Sequence, residues 1–279
     1  MRRETLILEP GRAEKEYWRD LWRYRELFFM FAWRDIAARY KQTVVGVLWA
    51  VLQPLLTMIV MTLVFSNLAG LPSEGAAPYA IMVYAAMLPW QFFANSLSAS
   101  GNSLVGNAPL ISKVYFPRLV IPIASVITSF IDFLIAFSIL IALMLIYQFW
   151  PSWRMMTLPI FTALAFLSAL GPGLLLASIN VKYRDFRYVI PFIIQFGLYI
   201  SPIGFSTTVV REKLGETLFL FYALNPMVGV IDGFRWAILG GESTVYWPGL
   251  LISLTATITL LLIGIDRFKR AERTFADVI

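Results

Sequence analysis

The segment Trp33-Arg-Asp-Ile-Ala-Ala-Arg-Tyr-Lys-Gln-Thr43 is basic and aromatic, and it is followed from Val44 to Phe65 by 22 residues without a charge. As a helix that run would extend about 33 Å, enough to cross a hydrocarbon core of about 30 Å. Five further runs share its character: 78–96, 119–147, 157–180, 189–208 and 245–265. Of the 23 Lys plus Arg and 17 Asp plus Glu in the chain, only Asp132 falls inside a run. Desolvating charge in lipid is what enforces such a partition. Six transmembrane helices in an all-α integral membrane fold are therefore expected. With 14% charged residues the chain lies well below the roughly 25% usual in soluble domains.

The connecting segments orient the spans. With the N-terminus inside, the cytoplasmic pieces 1–43, 97–118, 181–188 and 266–279 hold 19 of the 23 Lys and Arg. The positive-inside rule thus predicts an inner-membrane protein with both termini cytoplasmic. It divides into an N-terminal cytoplasmic segment (1–43), a continuous membrane domain (44–265) and a short tail (266–279). No cleavable signal peptide is expected, since the only apolar run before Thr43 is Leu27 to Trp33. Trp18, Leu21, Trp22, Tyr24, Leu27, Phe28 and Phe31 recur at roughly helical spacing among basic residues, which predicts an amphipathic helix in the membrane interface. Between the fifth and sixth runs, Thr217–Leu224 and Met227–Ile231 are apolar but too short to cross, and Asn225-Pro226 separates them. Two short re-entrant helices are expected there.

Most enzymatic chemistry is excluded by what the chain lacks. There is no cysteine and no histidine, which removes thiol nucleophiles, thiolate and imidazole metal sites and the Ser-His-Asp triad. Gly-Lys never occurs, so the phosphate-cradling loop of ATPases is absent, and no Gly-x-Gly-x-x-Gly is present. No cofactor or metal is expected on this chain, and the net charge of +6 is read as membrane orientation rather than nucleic-acid binding. Asp132 is a functional candidate as an ion or proton site. Without ionisable partners at its depth, a hydrogen bond to Thr128, Ser129 or another helix is the preferred reading. Trp49, Gln53, Trp90, Asn95, Gln195, Tyr199 and Ser201 are the polar and aromatic residues in spans that either line a channel or glue helices together. Flat rings with a polar handle also suit sliding contact with sugars. Gly171-Pro-Gly173 predicts a kink in the fourth span.

Several stretches together resemble a known family. Trp33-Arg-Asp, Arg39-Tyr-Lys-Gln-Thr-Val, Gly46, Leu48-Trp-Ala and Leu52-Gln-Pro-Leu55 are similar to the permease subunit of ABC-2-type (type V) exporters of O-antigen, capsule and teichoic acid. So are Tyr115-Phe-Pro-Arg118, Val181-Lys-Tyr-Arg-Asp-Phe-Arg187, Asn225-Pro-Met and Ile231-Asp-Gly-Phe-Arg-Trp236, in the family's order over roughly residues 20–265. The resemblance implies a homodimer with the channel between copies, and a separate ATPase subunit, also present twice, that uses ATP and Mg. It implies ATPase-coupling roles for Arg34, Asp35, Arg39, Tyr40, Asn107, Lys113, Tyr115 and Arg118. It implies an outer gate around Asn225, Pro226, Asp232 and Arg235, and a lipid-linked glycan as cargo. Residues 1–17 extend beyond the pattern. Competing classes are an ABC-2 permease for a drug or other small lipophilic cargo, an autonomous secondary transporter coupled through Asp132, and a membrane enzyme, which would need clustered carboxylates.

Overall fold

The structure, a computed structural model, describes residues 14–41, 44–114, 116–241, 243–273 and 275. Among these residues it contains helices and connecting turns and no strand. The helices are α1 (Glu14–Arg23), α2 (Arg25–Tyr40), α3 (Val44–Thr62), α4 (Tyr79–Gly106), α5 (Ala108–Ile111), α6 (Val120–Ile146), α7 (Leu158–Lys182), α8 (Phe186–Ile200), α9 (Thr207–Tyr222), α10 (Pro226–Leu239) and α11 (Trp247–Glu272). A π-helical turn, Leu63–Leu68, prolongs α3, and a 3-10 turn, Trp153–Thr157, leads into α7.

The core forms around α4. Every residue from Ile81 to Trp90 is buried, because α3, α6, α7, α8 and α10 all pack on this helix. A helix enclosed on all sides is shielded from lipid by its neighbours, so it tolerates polar groups that a lipid-facing helix would not. Accordingly α4 carries buried Ser96, Ser100 and Ser103 in its second half, while Asn95 lies on the part of that half its neighbours leave uncovered.

This explains a difference from the six-span expectation. Among the described residues, four helices are long and apolar enough to cross a membrane, spanning Val51–Leu68, Val120–Ile146, Trp153–Lys182 and Trp247–Glu272, or five if α9 and α10 count as one bent span. The run 78–96 became α4, 28 residues long but diluted by its polar residues. The run 189–208 became α8, apolar but only 15 residues, about 22 Å. It ends at Ile200 because Pro202 disfavours the helical region for Ser201, whose backbone is extended.

One other expectation is revised. The N-terminal amphipathic pattern is split at Tyr24 into α1 and α2, and α2 packs along α6 with Phe31 and Ala32 buried. Gly171-Pro-Gly173 lies within α7, which is one helix from Leu158 to Lys182. A Cβ on Gly171 would stand 2.7 Å from Leu261 N of α11, and one on Gly173 2.8 Å from Ser100 Oγ of α4. The two glycines let α7 approach a helix on either side, as small residues do where lipid gives helices no hydrophobic reason to associate.

Candidate functional site

The residues singled out from the sequence gather in three places. The first is the end of the bundle that carries α1 and α2. Asn107 caps α4, donating from Nδ2 to Ser103 O (2.8 Å), and its Oδ1 accepts from Arg34 Nη2 (2.8 Å). Arg34 also pairs with Asp35 (2.7 Å), so α2 is tied to the α4–α5 corner by a cluster that remains partly open to solvent. These three residues line a polar cleft of about 640 Å³ together with Asn102, Ser103 and Thr128. Lys113 is exposed just beyond α5, and Tyr115 lies outside the described residues.

Deeper on the same side, Arg39 and Tyr40 both hydrogen-bond to the Asp132 carboxylate. Asp132 is 12 residues into α6, about 18 Å along it. Burial first, then the carboxylate it faces, pushes the Tyr40 phenol above its ordinary pKa and keeps it a donor. The sequence reading of Asp132 as hydrogen-bonded to another helix is met by α2, but its ground is corrected, since Arg39 and Tyr40 are ionisable partners at its depth. Thr128 and Ser129 bond instead to carbonyls of their own helix, Ala124 O and Ser125 O.

Arg118 takes part in a separate clasp. Its backbone N–H donates to Glu272 Oε1 (2.7 Å) and its Nη1 to Glu272 O (2.9 Å), while Tyr17 Oη donates to Glu272 Oε2 (2.8 Å). Lys269 lies over the rings of Tyr17 and Trp18. The clasp joins α1, the approach to α6 and the end of α11. Sequence reading missed Glu272 and Tyr17, since nothing local marks two residues 255 positions apart as partners.

The second place is the opposite end. α9 and α10 meet at 118° across Ala223–Asn225. Asn225 Oδ1 accepts from Met227 N (3.0 Å), and Pro226 follows at the first helical position, a strong start signal. Asn225 Nδ2 also donates to Ser201 Oγ (3.1 Å), fixing the bend against the end of α8. Gly215, at φ 77°, kinks α9 between its charged half and its apolar half. Arg235 is completely buried. It donates to Ile203 O and Phe205 O (both 2.8 Å) and to Met82 O (3.4 Å), and pairs with Glu74 (3.3 Å). Asp232 accepts from Thr207 Oγ1 (2.6 Å) and from Tyr246 N (3.4 Å). A cation and a carboxylate one turn apart on α10 thus hold the irregular stretch 201–206 and the start of α9.

The third place is the uncovered surface of α3, α4 and α8. On α8, Tyr188, Phe192, Phe196 and Tyr199 form an exposed aromatic row, with Phe192 and Phe196 centroids 4.2 Å apart. Gln53, Asn95, Gln195 and Tyr199 are all exposed, Tyr199 by 64%. Trp90 and Ser201 differ. Trp90 is 4% exposed and packs so closely that a Cβ on Gly197 would stand 2.5 Å from its ring, while Ser201 is buried beside Asn225. Within a single copy these two join helices. The Trp49 side chain lies outside the described residues.

Residues 26–239 match the family described as ABC-2 type transporter. The chain is 25% identical over 261 residues to the O-antigen export system permease protein RfbA of Myxococcus xanthus, covering 94% of this chain and 98% of that protein. It is 25% identical over 255 residues to the protein of the same name from Klebsiella pneumoniae, covering 91% and 95%. To the polysialic acid transport protein KpsM of Escherichia coli it is 22% identical over 246 residues, covering 86% and 91%.

Proposed function

The chain belongs to the ABC-2 type transporter family, and from that premise we propose that it is the membrane permease of an ATP-driven exporter for a lipid-linked polysaccharide. The named relatives export O-antigen or transport polysialic acid, and they align over nearly their whole length. The cargo is accordingly an O-antigen-like, capsule or teichoic-acid polymer taken from the cytoplasmic side of the inner membrane. Both termini lie on that side. ATP is bound and hydrolysed by a separate subunit present twice, a division of labour that the absence of a phosphate loop from this chain supports.

One observation carries the channel part of the reading. Gln53, Asn95, Gln195 and Tyr199 are exposed among outward residues that are mostly apolar, such as Leu56, Val60, Ile193 and Ile200. Amide side chains facing hydrocarbon would be costly. A second copy facing this surface would cover the flanking apolar residues and leave a wet, aromatic path for sugars between them. The Arg34–Asp35–Asn107 cluster, α5 and Lys113 then form the surface that meets the ATPase, and the bend at Asn225-Pro226 with Asp232 and Arg235 forms the outer gate. Arg39 and Tyr40 fasten α2 to α6 at Asp132, a tie that needs an acceptor there rather than a charge.

The test is isolation of the native complex followed by identification of the ATP-hydrolysing chain that accompanies it. Hydrolysis stimulated by lipid-linked glycans, and loss of surface polysaccharide on deletion, are the expected results. Export by this polypeptide reconstituted alone would overturn the proposal. Unchanged surface glycan in the deletion strain would move the cargo to a small lipophilic molecule.

A further inference from the structure

A furrow of about 860 Å³ runs between α6 and α7, within the roughly 300–1,000 Å³ usual for ligand sites. Its α6 wall extends from Ile127 to Ile141, about 21 Å of helix. Phe130, Phe133 and Phe137 stack along that wall, and Phe166 of α7 faces them. The lining contains no charged residue. Its single hydroxyl, Thr162 Oγ1, is already committed to Leu158 O at 2.8 Å. A polar occupant would lose its hydration with nothing to replace it, whereas a hydrocarbon chain loses nothing. Both walls belong to helices long and apolar enough to span a membrane, so the furrow lies at hydrocarbon depth.

The chemistry changes at one end only. Met155 closes the furrow there, and its neighbour Arg154 is held by a stack on Trp236 (5.0 Å) and a 3.2 Å hydrogen bond from Nη1 to Ser243 O. A guanidinium has five donors, and this geometry leaves it able to receive an oxyanion. Trp150 and Trp153 beside it are exposed by 76% and 73%, the placement of rings at a headgroup boundary. An elongated apolar slot at hydrocarbon depth that ends at a cation and two indoles is complementary to one kind of molecule. We propose that the α6–α7 furrow binds an acyl chain of an anionic membrane phospholipid whose phosphate sits at Arg154. The inference rests on the reading of α6 and α7 as membrane spans. The lipid would fill the gap between two helices that both pack on α4 but meet each other little along this stretch.

The experiment places the full-length protein in nanodiscs of phosphatidylglycerol and phosphatidylcholine, with a trace of phosphatidylglycerol bearing a photoreactive acyl chain. Cross-linked residues are then mapped. Label should concentrate on Phe137, Met155 and Thr162 over Leu254, Ile258 and Leu262, exposed on α11. Ala163→Phe, or Leu134→Trp on the other wall if the first variant fails to fold, should reduce furrow labelling to the α11 level and leave α11 unchanged. Arg154→Gln should lower the preference for the anionic over the zwitterionic probe about fivefold. Equal labelling of the furrow and α11 would overturn the furrow site while sparing the membrane reading, and absence of label from both would overturn both. Displacement of the label by a polyprenyl phosphate, or a disulfide between copies through Leu134→Cys, would assign the furrow to another occupant and overturn the proposal.

Discussion

At the scale of single residues, several charged and amide side chains inside the bundle are held by partners that the chain brings from far away. Arg235 is the extreme case. It is fully enclosed, and its donors are taken up by carbonyls of the stretch 201–206, by Met82 O and by Glu74. Arg235→Met should lower stability by about 3–5 kcal/mol, because it leaves buried acceptors and a carboxylate unpaired. Arg235→Lys should recover only part of that, since one ammonium cannot reproduce the fork. Thermal unfolding in detergent measures both. Asp132 has a milder role, because a neutral acceptor at the same place keeps the bond from Tyr40. Asp132→Asn should cost less than Arg235→Met and leave export intact, because the amide oxygen still accepts from Tyr40. Export abolished by that variant in a protein with unchanged melting would favour ion coupling instead.

At the scale of elements, helix contacts are set by small residues. Gly171 and Gly264 bring α7 and α11 into backbone contact, and a Cβ on Gly264 would collide with Gly171 O. Gly264→Val should force the helices apart, costing about 2 kcal/mol or more of stability. Gly106→Ala, where a Cβ meets nothing within 4 Å, should be neutral or slightly stabilising, and comparing the two melting curves checks the argument. The bend between α9 and α10 was legible from Asn225-Pro226, because a proline and an amide capping residue act locally. Asn225→Ala should cost about 1 kcal/mol through the lost cap, with further loss from the Ser201 bond. The end of α8 was not foreseen, although Ser201-Pro202 carries the same local signal: an apolar run of 20 residues read as one span outweighed it.

At the scale of the molecule, the uncovered surface of α3, α4 and α8 predicts where two copies meet. The chain has no cysteine, so single introduced thiols report without background. Ile193→Cys or Ile200→Cys, in the exposed apolar residues that flank the polar path on α8, should form disulfide-linked dimers in membranes, and Leu262→Cys on α11 should not. The reverse pattern would place the channel elsewhere.

The sequence by itself determined that the chain is helical and lives in a membrane, because exclusion of charge from hydrocarbon acts on every residue independently and leaves its mark in linear order. It also determined the family, through short motifs kept in sequence. Only the tertiary structure decided that α4 is enclosed, that α2 reaches Asp132, and that Tyr17 and Arg118 meet Glu272 at the end of α11. It likewise decided which polar residues stay uncovered. A helix of nearly uniform hydrophobicity carries no periodic record of which face meets protein, so its neighbours are fixed by packing between segments that are distant in the chain.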